Sequence, residues 1–244
     1  MKREDVAFYS EGCRLSGHLY LPDDRKEGER RPAVVLAHGF TGVKELSLPE
    51  YAARFAAQGW VALTFDYRGF GTSEGTRGRL IWRDQVQDVR NSITFMQTLD
   101  AVDPDRIALW GTSYGAANVI FAGGVDDRPR AIVAQVGFGD GGRRLKERPA
   151  AETAPIRQLI AGERRKRVLT GESTMVDPFT ILADPESKAF FEAAAKTLPG
   201  LKTQVPMETL ESLLEYAPEG VAPAMERLRR GIAELGGTLD IPNR

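Results

Sequence analysis

The chain has 244 residues, of which 42% are hydrophobic and 27% are charged, and its formal net charge is −1 at pH 7. This balance gives no electrostatic reason to expect nucleic acid or an anionic membrane as a partner. The single cysteine, Cys13, excludes an internal disulfide. No apolar run approaches the roughly 20 residues of a membrane helix, and the first residues lack the apolar core of a signal peptide. We therefore expect a cytoplasmic protein.

The first half of the chain contains several strand patterns. Two partly alternating segments, at 5–9 and 13–21, predict a hairpin of paired strands. His18 lies in the second of these, and we expect it at the surface. Apolar runs rich in β-branched residues predict strands buried on both faces at 33–38, 60–66, 107–111 and 131–137.

Helix patterns separate these strands, at 48–58, at 79–99 and from residue 114 onward. In the second helix, the spacing places five apolar side chains on one face: Trp82, Val86, Val89, Ile93 and Met96. Regular alternation of strand and helix predicts an α/β fold with a mostly parallel, doubly wound sheet and right-handed crossovers.

The pattern changes after Gly137. Residues 140–219 show helical stretches only, which we place at 151–168, 185–198 and 206–216. A further helix pattern occupies 222–235. We therefore predict three parts of the chain: a sheet core at 1–139, a helical cap or insertion at 140–219, and an atypical tail at 220–244.

The segment GTSYG at 111–115 follows an apolar strand and opens a helix. A serine in Gly-x-Ser-x-Gly at such a junction sits on a strained turn, and a Cβ at Gly111 or Gly115 would collide with neighbouring elements. The turn places Ser113 at a helix N-terminus, where free N–H groups favour negative charge. The motif predicts Ser113 as a nucleophile, with the N–H of Tyr114 directed at a developing oxyanion. The alternative is a tight turn that carries a solvated serine.

Two other glycine-rich segments directly follow predicted strands, at the strand ends where sites gather in parallel sheets. HGFTG at 38–42 can fold back sharply, so that the N–H of Phe40 supplies a second oxyanion donor. A simple strand-end turn would explain the same glycines. DYRGFGTSEG at 66–75 contains Asp66 and Arg68, which we expect to pair and brace the loop rather than to act in catalysis.

The succession HGFTG, DYRGFGTSEG and GTSYGA resembles the α/β-hydrolase superfamily, and within it the bacterial esterases and serine-peptidase-like hydrolases that carry a helical cap. The resemblance covers roughly residues 5–216. It implies that Ser113 is the nucleophile and that the backbone N–H groups of Phe40 and Tyr114 form the oxyanion hole. In such enzymes the catalytic triad follows the chain order serine, acid, histidine.

The histidine that this order requires is absent, because both histidines of the sequence, His18 and His38, precede Ser113. The resemblance gives His38 a structural role in the oxyanion loop, and its ring would have to turn into the site to act as the base. Asp140, just past the last predicted strand, is a candidate acid in a variant arrangement. Since no strand pattern follows residue 137, we expect the chain to be shortened or frame-shifted near Gly220 relative to its relatives.

Two functions from different classes follow from these residues. The first is a serine hydrolase that acts on a small-molecule ester or amide, without a metal or organic cofactor, since no ligand cluster is visible. The second is a catalytically inactive protein that binds a ligand or partner, which the missing histidine favours. Nucleotide binding is not supported, because the glycines at 69–75 do not open a helix.

Two surface features bear on partners. The strand at 131–137 would lie at the edge of the sheet, where it could pair with a second copy of the chain. Basic runs at 143–148 and 163–167 are interleaved with glutamates, which favours a solvated surface over a nucleic-acid site.

Overall fold

A computed structural model describes residues 1–137, 139–143, 147–179, 185–198, 200–201 and 204–216 of the chain. Its sheet is built from β1 (Lys2–Ser10), β2 (Cys13–Leu21), β3 (Arg31–Ala37), β4 (Val61–Phe65), β5 (Val102–Thr112) and β6 (Pro129–Gln135). The six strands lie in the order β1-β2-β4-β3-β5-β6. The pairs β1–β2 and β2–β4 are antiparallel, and the pairs β4–β3, β3–β5 and β5–β6 are parallel. The predicted α/β fold with a mostly parallel sheet is confirmed.

Helices pack on both faces of this sheet. Because successive strand residues point to opposite faces, Val34 and Leu36 of β3 contact α1 (Leu48–Ala57), whereas Val35 faces α2 (Trp82–Gln97) and α3 (Tyr114–Val125). The predicted apolar face of α2 is buried in full: Trp82, Val86, Val89, Ile93 and Met96. The doubly wound arrangement is therefore confirmed.

The hairpin of β1 and β2 corrects the expectation for His18. Its side chain is buried, because it projects from the same face of the sheet as Tyr20, which packs against α1. The imidazole lies against Tyr20, with ring centroids 6.4 Å apart, and its Nε2 is 3.5 Å from Asp5 Oδ1. Burial lowers the pKa of His18, with the positive charge of Lys44 adding to the effect.

We call residues 140–216 the cap segment. It contains α4 (Ala150–Thr170), α5 (Pro185–Ala195) and α6 (Glu208–Leu214). The expectation of helices only was wrong, because β7 (Met175–Val176) pairs antiparallel with β8 (Val205–Pro206). Backbone bonds in this short ladder join the chain after α4 to the chain before α6, a contact that a helical period cannot reveal. The helix expected at 222–235 lies outside the described residues.

Side chains of α6 accept hydrogen bonds from the N-terminal end of α2 and from the residues just before it. The residue before α2 is Ile81, which offers no side-chain acceptor for the free N–H groups of the first turn. Instead Trp82 N–H donates to Ser212 Oγ over 2.9 Å, and Arg79 Nε donates to Glu208 Oε1 over 2.7 Å. The cap segment is thus fixed to the sheet core. None of the helices that the structure describes is long and apolar enough to cross a bilayer.

Strand β6 differs from the expectation of burial on both faces. Within the described residues it pairs with β5 alone, so it forms the edge of the sheet, as the sequence predicted. Val133 is 49% exposed, and Val136, just beyond the strand, is 79% exposed. The apolar composition of this strand therefore does not show that its faces are covered in this chain.

Candidate active site

Ser113 lies at the junction of β5 and α3 with a strained backbone. Its φ and ψ are 55° and −121°, a region that side chains with a Cβ rarely occupy. The conformation is held from outside the turn, because the N–H of Ser113 donates to Gln135 O of the neighbouring strand β6 over 2.8 Å. The serine side chain is thereby turned out of the strand at the carboxyl end of the parallel sheet.

The two glycines of the motif are required by close backbone contacts. A Cβ at Gly111 would lie 2.3 Å from the carbonyl oxygen of Gly115, and a Cβ at Gly115 would lie 2.3 Å from that of Ala37. Both distances are far below van der Waals contact, and in each case the obstacle is backbone that cannot rotate away. These contacts explain why the turn requires glycine at both Gly111 and Gly115, on either side of the tripeptide Thr112-Ser113-Tyr114.

The HGFTG loop lies directly against the serine. A Cβ at Gly39 would be 3.1 Å from Ser113 Cβ and 3.6 Å from Ser113 Oγ. The loop closes as a turn in which Gly42 N–H donates to Gly39 O over 3.1 Å, and Thr41 adopts a φ of 52°. No acceptor among the described residues takes the N–H of Phe40. Its phenyl ring is buried 6.1 Å from the ring of Tyr114.

His38 is buried beside this loop. Its Nδ1 lies 2.9 Å from Gly39 O, and because a carbonyl oxygen only accepts, Nδ1 carries the proton. The ring stands edge-on against Tyr67, with centroids 4.7 Å apart. Its Nε2 is buried without a hydrogen-bond partner among the described residues. Burial lowers the pKa of His38, so the imidazole is neutral and Nε2 keeps its lone pair.

Asp140 lies in the turn that follows β6. Its Oδ1 accepts a hydrogen bond from Gly142 N–H over 2.8 Å, while the next residue, Gly141, donates to Tyr216 O over 2.9 Å. The second bond attaches the start of the cap segment to the chain just after α6. Within the described part of the chain, Ser113 Oγ hydrogen-bonds neither Asp140 nor His38. The structure therefore gathers Phe40, Tyr114 and His38 around the serine turn without a joined triad.

A buried ion pair that the sequence did not reveal supports the HGFTG loop. Lys44 Nζ donates to Asp66 Oδ2 and Lys44 N–H donates to Asp66 Oδ1, each over 2.7 Å. The expected pairing of Asp66 with Arg68 was wrong, since Arg68 instead binds Asp88 through its guanidinium, at 2.6 Å. The side chains of Asp66 and Arg68 project in different directions, because the chain turns at these residues after the end of β4. No local signal distinguishes Lys44 from a solvent-exposed lysine.

A cavity of about 300 Å³ opens beside Ser113. Its walls come from the HGFTG loop, the start of α1, the end of β5 and one face of α5. None of the described residues that line it is an Asp, Glu, Lys or Arg. The serine therefore faces an uncharged, mostly apolar space enclosed partly by the cap segment.

Comparisons with known proteins place this geometry in a family. A model of the X-Pro dipeptidyl-peptidase (S15) family matches residues 11–148. An uncharacterized 31.7 kDa protein from the traX-finO intergenic region of Escherichia coli is 36% identical over 207 residues, 84% of this chain and 72% of that protein. The thiohydrolase apmlB of Arthrinium phaeospermum is 31% identical over 251 residues, 90% of this chain and 76% of the relative.

A solved structure shows the same fold. The α/β hydrolase GrgF from Penicillium sp. sh18 matches with a TM-score of 0.75 at 24% identity, covering 92% of this chain and 78% of that one. The family match spans the serine turn and both glycine-rich loops that precede it, and it covers more than half of the sequence. The chain is therefore a member of the X-Pro dipeptidyl-peptidase (S15) family, a family of enzymes within the α/β-hydrolase superfamily.

Proposed function

We propose that this protein is a serine-dependent acyl hydrolase that acts on small esters and thioesters. The observation that carries the proposal is the backbone of Ser113, whose φ of 55° is held in place beside an apolar cavity. Strain of this kind costs about 1–3 kcal/mol and is typical of functional turns. The name of one relative, a thiohydrolase, supports thioesters as a substrate class.

In the proposed reaction, Ser113 Oγ attacks the acyl carbonyl carbon and its proton passes to a base. The carbonyl oxygen becomes an oxyanion, which accepts hydrogen bonds from the N–H groups of Phe40 and Tyr114. Collapse of this intermediate expels the thiolate, or the aryloxide of an activated ester, and leaves an acyl-enzyme. A water molecule then attacks the acyl carbon, and the carboxylic acid and the free Ser113 hydroxyl are regenerated.

The lack of a histidine hydrogen-bonded to Ser113 restricts the leaving groups that the site can expel. An amine leaving group must receive a proton from a general acid, which in serine proteases is a histidine hydrogen-bonded to the nucleophile. A thiol has a pKa near 8.5 and leaves as the thiolate without that proton. A site in which no histidine bonds Ser113 is therefore suited to thioesters and activated esters, and poorly suited to amides.

We assign the proton-accepting role to His38 as a proposal. Its Nε2 is unprotonated, but the ring is packed against Tyr67 and would have to turn toward Ser113 before accepting the proton. Asp140 is the proposed acid of the variant arrangement, with its carboxylate engaged by Gly142 N–H in the resting state. In Ser113→Ala, which lacks the nucleophile, the oxyanion hole and binding alone are expected to keep about 10³–10⁴-fold acceleration over water.

The second candidate is a binding protein that has lost turnover. The observation that favours it is that Ser113 Oγ lacks a histidine partner while the cavity beside it is intact. On this reading the apolar space holds a ligand without chemistry.

Hydrolysis of p-nitrophenyl acetate and of an acetyl thioester decides between the two. We expect the wild type to turn over both and to be labelled by a fluorophosphonate probe, and Ser113→Ala to lose labelling and fall to the residual rate that the oxyanion hole and binding supply. Ser187→Ala, which removes another serine that lines the same cavity, is the matched control and keeps its labelling. Equal hydrolysis by wild type and Ser113→Ala removes the catalytic proposal, and ligand binding without labelling supports the binding protein.

A further inference from the structure

We infer that the cavity beside Ser113 is an acyl pocket for an uncharged group that carries a single aromatic ring. The inference deepens the proposed function and rests on it in one respect, since it takes the Ser113 cavity as the substrate site. It is argued from the cavity's walls, its rim, its volume and its charge.

A rigid aromatic pair forms one wall of the cavity. The rings of Tyr51, from α1, and Trp110, from β5, are 4.5 Å apart with an interplanar angle of 34°. Trp110 is held by the sheet and by α1, with 5% of its surface exposed. Aromatic faces favour offset-stacked and edge-to-face contacts with a further ring, which are worth more than the same area of aliphatic contact.

The rim of the cavity is also aromatic, and it is left in water. Phe190 and Phe191 of α5 both line the opening, with centroids 5.8 Å apart and planes at 84°. Phe190 is 52% exposed, although it is a large apolar side chain. A ring entering the cavity would cover this exposed surface of Phe190.

The size and charge of the cavity restrict the acyl group further. A dry cavity of about 150 Å³ suffices to bind benzene, so the volume of about 300 Å³ holds one ring with a short linker to the carbonyl. No charged side chain lines the cavity among the described residues, so a carboxylate or ammonium on the acyl group would be buried there without an opposite charge. The pocket therefore favours benzoyl or phenylpropanoyl groups over acetyl, and disfavours succinyl.

The test compares p-nitrophenyl esters of acetate, benzoate and succinate, which share one leaving group. We expect kcat/KM, divided by the rate of alkaline hydrolysis, to be at least about tenfold higher for benzoate than for acetate, and lowest for succinate. Phe190→Ala should lower the benzoate-to-acetate ratio several-fold. Tyr9→Ala, which removes an exposed aromatic ring on β1 outside the cavity, should keep the ratio. Equal values across the series, or a preference for succinate, overturn the inference.

Binding to Ser113→Ala separates the acyl pocket from the chemistry. N-methylbenzamide and N-methylacetamide are stable probes, and the indole N–H signal of Trp110, assigned with Trp110→Phe, reports occupancy by NMR. A shift with the aromatic amide alone supports the pocket even if the wild type shows no turnover, in which case only the proposed function fails. Turnover of acetate with no shift from the aromatic amide overturns the pocket and leaves the proposed function standing.

Discussion

Asp66→Asn removes the charge at the centre of the buried network that supports the HGFTG loop. Asp66 is fully buried and accepts hydrogen bonds from Lys44 N–H, Lys44 Nζ and, over 2.9 Å, Thr72 N–H. The loop closes so tightly around this carboxylate that a Cβ at Gly71 would lie 2.1 Å from Asp66 Oδ2. The substitution keeps the shape of the side chain but replaces one acceptor oxygen with an NH₂ group that faces donors.

The expected loss follows from what is left behind. Lys44 is 2% exposed, so removing the opposite charge leaves a buried ammonium group with reduced compensation. Losing one partner of a buried ion pair costs about 3–5 kcal/mol. Glu45 Oε1 lies 2.8 Å from Lys44 Nζ and retains part of the attraction from a side chain that is 36% exposed. We therefore expect a decrease of about 3 kcal/mol in the free energy of unfolding, out of a typical total of about 5–15 kcal/mol.

Urea unfolding followed by circular dichroism measures this change in Asp66→Asn, Lys44→Met and the double variant. The double variant should lose less than the sum of the two single variants by at least about 1 kcal/mol, because each single change strands the other group. Glu4→Gln is the matched control, since it breaks an exposed pair with Lys2 and should change stability by less than about 0.5 kcal/mol. A loss below about 1 kcal/mol in Asp66→Asn, or additive losses in the double variant, would refute the reasoning.

Two further predictions concern titration. Burial alone would raise the pKa of Asp126, but hydrogen bonds from Arg128 and Arg90 lower it from 3.8 to about 2. Its contribution is present above the unfolded pKa and is lost as the pH falls toward 2, so Asp126→Asn should remove about 1 kcal/mol, after allowance for solvent screening, of the loss that urea titrations record between pH 5 and pH 2. If Asp126→Asn loses as much stability as the wild type between pH 5 and pH 2, this prediction is wrong. His38 has a pKa lowered by burial, so its imidazole NMR signals should show no titration near the ordinary value of 6.5, and unfolding should take up a proton below that pH. If the His38 signals of the folded protein titrate near pH 6.5, the ring is not buried.

The serine turn could be predicted from sequence because its constraints are local. Gly111 and Gly115 are demanded by backbone atoms within a few residues of Ser113 and at the end of the adjacent strand β3. The core strands and the buried face of α2 were predictable for a similar reason, since apolar spacing within one element reports its own burial. In each case the information and the structure it specifies lie in the same short segment.

The pairing of charges was not predictable, because each charge has several possible partners at long separation. Lys44 and Asp66 are 22 residues apart, and Arg68 finds Asp88 at a separation of 20. The spacing of residues along the chain does not indicate which lysine a buried carboxylate contacts across a loop. The nearest candidate in sequence, Arg68 for Asp66, was therefore chosen wrongly.

Exposure was misjudged where it depends on what covers the face of a strand. His18 was expected at the surface from its polarity, but it is buried on the sheet face from which Tyr20 packs against α1. Residues 131–137 lie at the predicted edge of the sheet among the described residues, but their expected burial is not found, since Val133 is 49% exposed. The composition of a strand does not determine which elements cover its faces.

The strain at Ser113 can be separated from the hydroxyl by comparing Ser113→Gly with Ser113→Ala. Both variants lack the nucleophile, but only glycine adopts a φ of 55° and a ψ of −121° without a Cβ penalty. Relief of about 1–3 kcal/mol of strain is offset by about 0.4–1 kcal/mol of extra unfolded-chain entropy. Ser113→Gly should therefore be more stable than Ser113→Ala by about 1 kcal/mol in urea unfolding. If the alanine variant is equally or more stable, the turn is not strained, and the backbone of Ser113 ceases to be an argument for a nucleophile.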